Sequence, residues 1–419
     1  MAPSVSPLHL CVSAHSVWRS PLRLYPYLSS LLGELGKDIG AAARAVRSAI
    51  DDDDPYEVLT YRGYGTGTRA HVYGRVVEKL GVSASSDTDS TLRNLLNTYR
   101  RADSDAVPLA TVGVDFRDRT TGMTADDEGF FGGWIEPQDR VTDGEWHDYT
   151  VNLLSPKRTE TENVTGKGEI LVPPGTARFC VISDIDDTVI QSRVSNFLQA
   201  ARTVMLGNAR TRLPFPGVAG FYRALREGAS GNEANPIFYV SSSPWNISDV
   251  ISEFMDIQKI PKGPLLLRDW DVGIGSLASD RHFDHKGVAI RNIMQLYQDR
   301  SFILIGDTSQ HDPEIYRQIV GEFPSRVKAI YIRDVTRSSE RSASIQRLAD
   351  EVLAAESILV LSEDTLGAAK HAVEQGWISA DALPDVREEK RADEGRDDTK
   401  VATPDGGEPT SGDAPTVIE

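Results

Sequence analysis

Residues 179–190 read Phe-Cys-Val-Ile-Ser-Asp-Ile-Asp-Asp-Thr-Val-Ile. The apolar run Phe179–Ile182 stops at Asp184, and Asp186, Asp187 and Thr188 follow at once. A short apolar run closed by turn-type polar residues predicts a buried strand of a parallel sheet. Open α/β sheets bind ligands beyond the carboxyl ends of their strands, so these acids stand where a site is expected. Carboxylates this close repel one another and lose hydration at the edge of a core, so they call for a cation or a function. Alone, the cluster reads equally well as a solvated acidic loop. The strand before it and the groups after it decide against that.

From Ala177 onward, strands alternate with helices. Helices are expected around Asn196–Leu206 and Val218–Gly228, followed by a strand at Pro236–Val240 that ends in Ser241-Ser-Ser-Pro-Trp. A helix from about Asn246 to before Pro261, a short strand at Leu265–Leu267, and a helix opened by His285-Lys286-Gly287 come next. Phe302–Ile305 ends in Gly306-Asp307, and Val327–Ile332 and Ser357–Leu361 supply two more strands before a helix reaching about Trp377. Repeated strand–helix units predict a doubly wound parallel sheet over residues 176–384.

Before this region the texture differs. Residues 22–50 carry leucines near a 3.6-residue period with flanking basic residues, which predicts an amphipathic helix in an N-terminal segment, residues 1–55. That helix packs on the protein or lies on a membrane surface. Residues 56–175 hold short alternating runs separated by Gly, Asp and Thr, the pattern of a small β-sandwich-like domain, with a polar helix expected near Leu92–Arg100. Tyr61-Arg-Gly-Tyr-Gly-Thr-Gly-Thr is glycine-rich but lacks the lysine of a phosphate loop, so it reads as a connection facing the second domain. Residues 385–419 are rich in Glu, Asp, Gly, Pro and Thr and read as a disordered acidic tail.

Composition narrows the partners. The 419 residues carry a formal net charge of -17, which disfavours nucleic acid and whole-surface attraction to an anionic membrane. No apolar run approaches the roughly 18 residues that span a bilayer. The N-terminus lacks a charged region and a long apolar stretch, so no signal peptide is expected. Cys11 and Cys180 lie far apart, and Cys180 falls inside an apolar strand, so a reducing cytoplasm is the expected location.

Four strand ends or helix starts carry matched groups: Asp184-Ile-Asp186, Ser241, Lys286, and Asp307 through Asp312. Their joint logic is phosphoryl transfer, which needs a cation and fixed donors around the phosphoryl oxygens. Asp184 and Asp307 suit a magnesium ion, with Asp312 binding it or tying down its shell. Asp184 can attack phosphorus and form an aspartyl-phosphate, while Asp186 serves as acid and then base. Ser241 and Lys286 would hold the phosphoryl oxygens, and Thr188 would orient the loop. His282, His285 and His311 lie near by sequence and read as substrate contacts or as structural residues.

Ser183–Ile190, Phe238-Tyr-Val-Ser-Ser-Ser-Pro-Trp, His285-Lys-Gly and Ile305-Gly-Asp-Thr-Ser-Gln-His-Asp-Pro-Glu-Ile-Tyr together resemble the catalytic domain of the actin-patch phosphatidate phosphatase family, within the haloacid dehalogenase superfamily. The resemblance implies a nucleophilic Asp184, an acid/base Asp186, phosphate binding by Ser241 and Lys286, and a metal site drawing on Asp184, Asp186, Asp307 and Asp312. It also implies magnesium-dependent hydrolysis of phosphatidate to diacylglycerol and phosphate, hence a phospholipid substrate at a membrane surface. The stretch between Asp184 and Ser241 leaves little room for a cap domain, and an open site suits a bulky ester. Two other readings compete: a phosphatase of a nucleotide end or phosphoprotein, and a non-catalytic lipid- or protein-binding scaffold.

Overall fold

The structure, a computed structural model, describes residues 55–78, 105–142, 144–159, 161–190, 214–268, 279–336 and 338–398. All of them fall in one compact unit. The helices expected at 22–50, Leu92–Arg100 and Asn196–Leu206 lie outside the described residues.

The first half is built on β1 (Tyr56–Thr60), β2 (Gly63–Gly65), β3 (Ala70–Glu78), β4 (Thr111–Phe116), β5 (Arg119–Thr124), β6 (Phe130–Ile135), β7 (Trp146–Ser155) and β8 (Thr165–Leu171). These strands form one hydrogen-bonded sheet in the order β1-β3-β2-β8-β7-β4-β5, with β6 also paired to β3. The expectation was a small sandwich-like or barrel-like domain, and the strands belong to one continuous hydrogen-bonded sheet. The reason is the length of β3, which pairs β1 along Gly74–Glu78 and β2 along Ala70–His71 on one edge, and β6 on the other. The sheet has its own core, where Phe116, Phe131 and Tyr149 are buried.

The second half is a six-stranded parallel sheet: β9 (Phe179–Asp184), β10 (Ile237–Pro244), β11 (Leu265–Arg268), β12 (Ser301–Asp307), β13 (Val327–Arg333) and β14 (Ile358–Ser362), in the order β11-β10-β9-β12-β13-β14. Every residue of β9 is buried because it has a strand on each side and a helical layer on each face. Phe179 and Val181 pack with α1 (Val218–Glu227), α2 (Ser248–Ile257), α6 (Thr365–Glu374) and α7 (Leu383–Asp398). Cys180 and Ile182 pack with α3 (Ser279–Leu296), α4 (Asp312–Glu322) and α5 (Ser339–Ala354). The alternation of side chains along a strand divides one apolar run between two cores.

The chain runs from β9 outward to β10 and β11, then crosses back to place β12 on the other side of β9. The crevice between β9 and β12 is thus a topological switch point, and Asp184 and Asp307 end those two strands.

Two expectations are corrected and one element is added. Lys286 does not open its helix, because α3 begins at Ser279. The helix α5 was not anticipated. Residues 385–398 belong not to an acidic tail but to α7, which docks through the buried Val386 and through Asp393, whose carboxylate accepts from Gly217 N at 2.9 Å.

The two sheets pack directly on one another. The ring of Tyr61 lies 4.5 Å from that of Trp245, Tyr64 meets Phe238 edge-on at 5.9 Å, and Tyr297 Oη donates to Gly65 O at 2.9 Å. Arg226 closes the same boundary with a bidentate pair to Glu145, both contacts at 2.6 Å. The glycine-rich stretch from Tyr61 is therefore part of the packing that joins the sheets.

Candidate active site

The end of β9 forms a tight loop. Val189 N and Ile190 N both donate to Ile185 O, and Asp187 N donates to Ile190 O at 2.9 Å. Asp187 has φ 59°, a left-handed conformation that Asp and Asn adopt more readily than most residues. The third acid of the motif thus serves the turn backbone.

Asp184, Asp307 and Asp312 are buried, and each offers a carboxylate oxygen within 4.8 Å of the others. Three strand-end devices bring them together. Thr188 Oγ1 lies 3.1 Å from Asp184 Oδ2 and 3.4 Å from Asp307 Oδ2, bridging the two strands. Asp312 starts α4 and folds back so that Oδ2 accepts from Asp307 N at 3.3 Å. Gly306 makes room for that return, since a Cβ there would stand 2.5 Å from Asp312 Oδ2.

Lys286 reaches the cluster from α3. Its ammonium is 2.7 Å from Asp184 Oδ1, 2.8 Å from Asp312 Oδ1 and 3.1 Å from Gln310 Oε1. Burial opposes the lysine charge, but the two carboxylates outweigh it and hold its pKa above the ordinary value. Burial pushes Asp184 well above the usual carboxylate range; Lys286 counteracts this, and Asp312, Asp186 and Asp307 add to it. Asp307 is pushed up to about 6 by burial and by Asp312, against the Ser309 donors. Three acids against one lysine leave excess negative charge in a buried place, and this chemistry fits a hard divalent cation.

Asp186 stands apart from that trio. Its Oδ2 accepts from Ser241 Oγ at 2.7 Å and Ser243 Oγ at 3.2 Å, while Oδ1 is buried with no hydrogen-bond partner. Ser241 Oγ also accepts from Ser243 N at 2.9 Å. All the expected residues thus gather at the carboxyl ends of β9, β10 and β12, but with different partners. Asp186 is held by serines rather than grouped with the metal-site acids, and Ser241 and Lys286 already bind carboxylates. Ser243 and Gln310 were missed, although both lie inside the quoted motifs. His285 and His311 are not in the cluster, and the side chain of His282 lies outside the described residues. A cavity of about 580 Å³ beside Trp245, Arg62 and Lys167 contains none of the acidic residues of the cluster.

An acidic cluster at the switch point of a parallel α/β sheet defines a class of sites suited to a divalent cation. Residues 179–334 match the family model described as phosphatidate phosphatase APP1, catalytic domain. Phosphatidate phosphatase APP1 of Saccharomyces cerevisiae is 30% identical over 159 residues, covering 38% of this chain and 26% of the yeast protein. An uncharacterized protein of Schizosaccharomyces pombe is 31% identical over 160 residues, covering 37% of this chain and 25% of that protein. The chain thus matches about a quarter of the length of these curated relatives. Among solved structures, a carbohydrate acetylesterase from Xanthomonas citri gives a TM-score of 0.24 at 12% identity, over 71% of this chain and 74% of that one. A β-glucuronidase from Bifidobacterium dentium gives 0.22 at 9%, over 81% and 58%. Scores this low carry no argument about fold or chemistry.

Proposed function

We propose that this chain is a phosphatidate phosphatase-like phosphomonoesterase of haloacid dehalogenase type, using magnesium and an aspartyl-phosphate intermediate. The observation that carries the reading is the buried trio Asp184, Asp307 and Asp312 gripped by Lys286 at the switch point, within the segment that matches the APP1 catalytic domain. These three acids would hold the magnesium, which when bound offsets charge on the phosphoryl oxygens.

A carboxylate oxygen of Asp184 attacks phosphorus, and the bond from phosphorus to the alkoxide breaks. Asp186 gives its proton to the leaving oxygen. It then takes a proton from water, which attacks the acyl-phosphate and releases inorganic phosphate and Asp184. The partnerless Asp186 Oδ1 supports this role, because the serines occupy only Oδ2 and leave one oxygen to carry the proton. Lys286 keeps its charge at neutral pH and orients Asp184.

Among the described residues, no helix is long and apolar enough to cross a membrane. A phospholipid substrate would therefore be met at a membrane surface. The test is phosphate release from phosphatidate vesicles with and without magnesium, by the wild type and by Asp184→Asn. Magnesium-dependent release that disappears in the folded variant is the expected result. Release unchanged by the variant would reject the nucleophile assignment.

A further inference from the structure

The loop from Asp307 to Asp312 supplies two acids of the cluster and, through Gln310, a ligand to Lys286. It is held from outside the site. Arg341 Nε donates to Thr308 O at 3.2 Å and Nη2 donates to Gln310 O at 2.8 Å. The same guanidinium forms a two-pronged pair with Glu314 of α4, one contact at 2.9 Å. Ser338 caps α5 by accepting from Arg341 N at 3.4 Å, which fixes the first turn that carries this arginine. On the β13 side, Thr308 Oγ1 accepts from Val335 N at 3.0 Å and Thr336 N at 3.1 Å.

We propose that Arg341 is a positioning residue of the acidic site, clamping the 307–312 loop so that Gln310 meets Lys286 and Asp312 meets Asp307. It touches none of the reacting groups. The chain of contacts runs from Arg341 to Gln310, from Gln310 to Lys286, and from Lys286 to Asp184. A guanidinium suits the task because its rigid fork serves carbonyls and a carboxylate together, which one ammonium cannot do. The inference rests on the reading that Asp184, Asp307 and Asp312 are the working acids.

A built-in control exists. Arg317 of α4 pairs with Glu351 of α5 at 3.1 Å, tying the same two helices without touching the loop. The experiment compares Arg341→Gln, Arg341→Lys and Arg317→Gln in the full chain. Hydrogen exchange of the 305–312 peptide is followed by mass spectrometry, magnesium affinity by calorimetry, and phosphate release from phosphatidate vesicles by kinetics. Both Arg341 variants are expected to speed loop exchange and weaken magnesium binding about tenfold. They should lower kcat more than they raise KM, and Arg317→Gln should do none of these. Exchange equal to that of Arg317→Gln, unchanged magnesium affinity despite faster exchange, or full function in Arg341→Lys would each overturn the proposal. A wild type that neither binds magnesium nor releases phosphate would instead sink the phosphatase reading, while loop exchange still reports on the clamp.

Discussion

Ser241 Oγ lies 2.7 Å from Asp186 Oδ2, so the hydroxyl at the end of β10 orients the carboxylate that follows β9. Removing it should disturb proton transfer before it disturbs binding. Ser241→Ala is expected to lower kcat roughly tenfold, the scale of one lost hydrogen bond to a charged group, with a smaller change in KM. Steady-state kinetics on phosphatidate vesicles checks this. A raised KM with unchanged kcat would return Ser241 to a phosphate-binding role.

Lys286 is the cation that faces both Asp184 and Asp312. Lys286→Met leaves two buried carboxylates without their counter-ion and is expected to cost about 3–5 kcal/mol at pH 8 without metal. The deficit should shrink as pH falls toward 4, where the acids take up protons. In the wild type, the lysine pKa is raised on folding. Its stabilisation is therefore complete below the unfolded value, near pH 10, and fades above it. Urea unfolding across this pH range measures both effects.

Gly306 is kept small by Asp312, whose Oδ2 would meet a Cβ there at 2.5 Å. Gly306→Ala is expected to destabilise the fold by about 1–3 kcal/mol, the usual scale of overpacking, and to weaken divalent-ion binding. Thermal unfolding with and without magnesium separates the two. An unchanged magnesium-induced shift in Tm would mean that Asp312 does not help to hold the ion.

Asp307 has its pKa raised to about 6 in the folded chain, above its ordinary value of 3.8. An acid raised on folding binds more protons in the native state, so in metal chelator stability should fall as pH rises from about 4 through 6. Ion binding needs the carboxylate charged, so the stabilisation given by magnesium should grow over the same interval. Tm measured from about pH 4 to 8 in chelator and in magnesium is the check. A magnesium effect independent of pH would exclude Asp307 from the ion site.

The parallel sheet was legible because each strand is a short apolar run closed by polar turn residues, and β9 at Phe179–Asp184 is the clearest case. The helix α5 was overlooked although Ile345, Leu348, Ala349 and Val352 fall at helical spacing, with Ile345 and Val352 buried. Helix α7 escaped because its dense charges read as a solvated tail, yet Lys390 pairs with Asp364 at 2.6 Å and Val386 is buried against α1. Helix α7 is held by tertiary contacts that no local period announces.

The sequence by itself determined which acids stand at strand ends and in what order the strand–helix units come, because both follow from local patterns of apolar and turn-forming residues. Only the tertiary structure decided who meets whom. It set Ser241 on Asp186, Lys286 between Asp184 and Asp312, Asp187 in a left-handed turn, and Arg341 on the loop that holds Gln310. The physical reason is that β12 returns beside β9 only after β10 and β11 are built on its other side. The partners of each charge are thus chosen by strand order and side-chain direction, across separations in the chain that no contiguous motif spans.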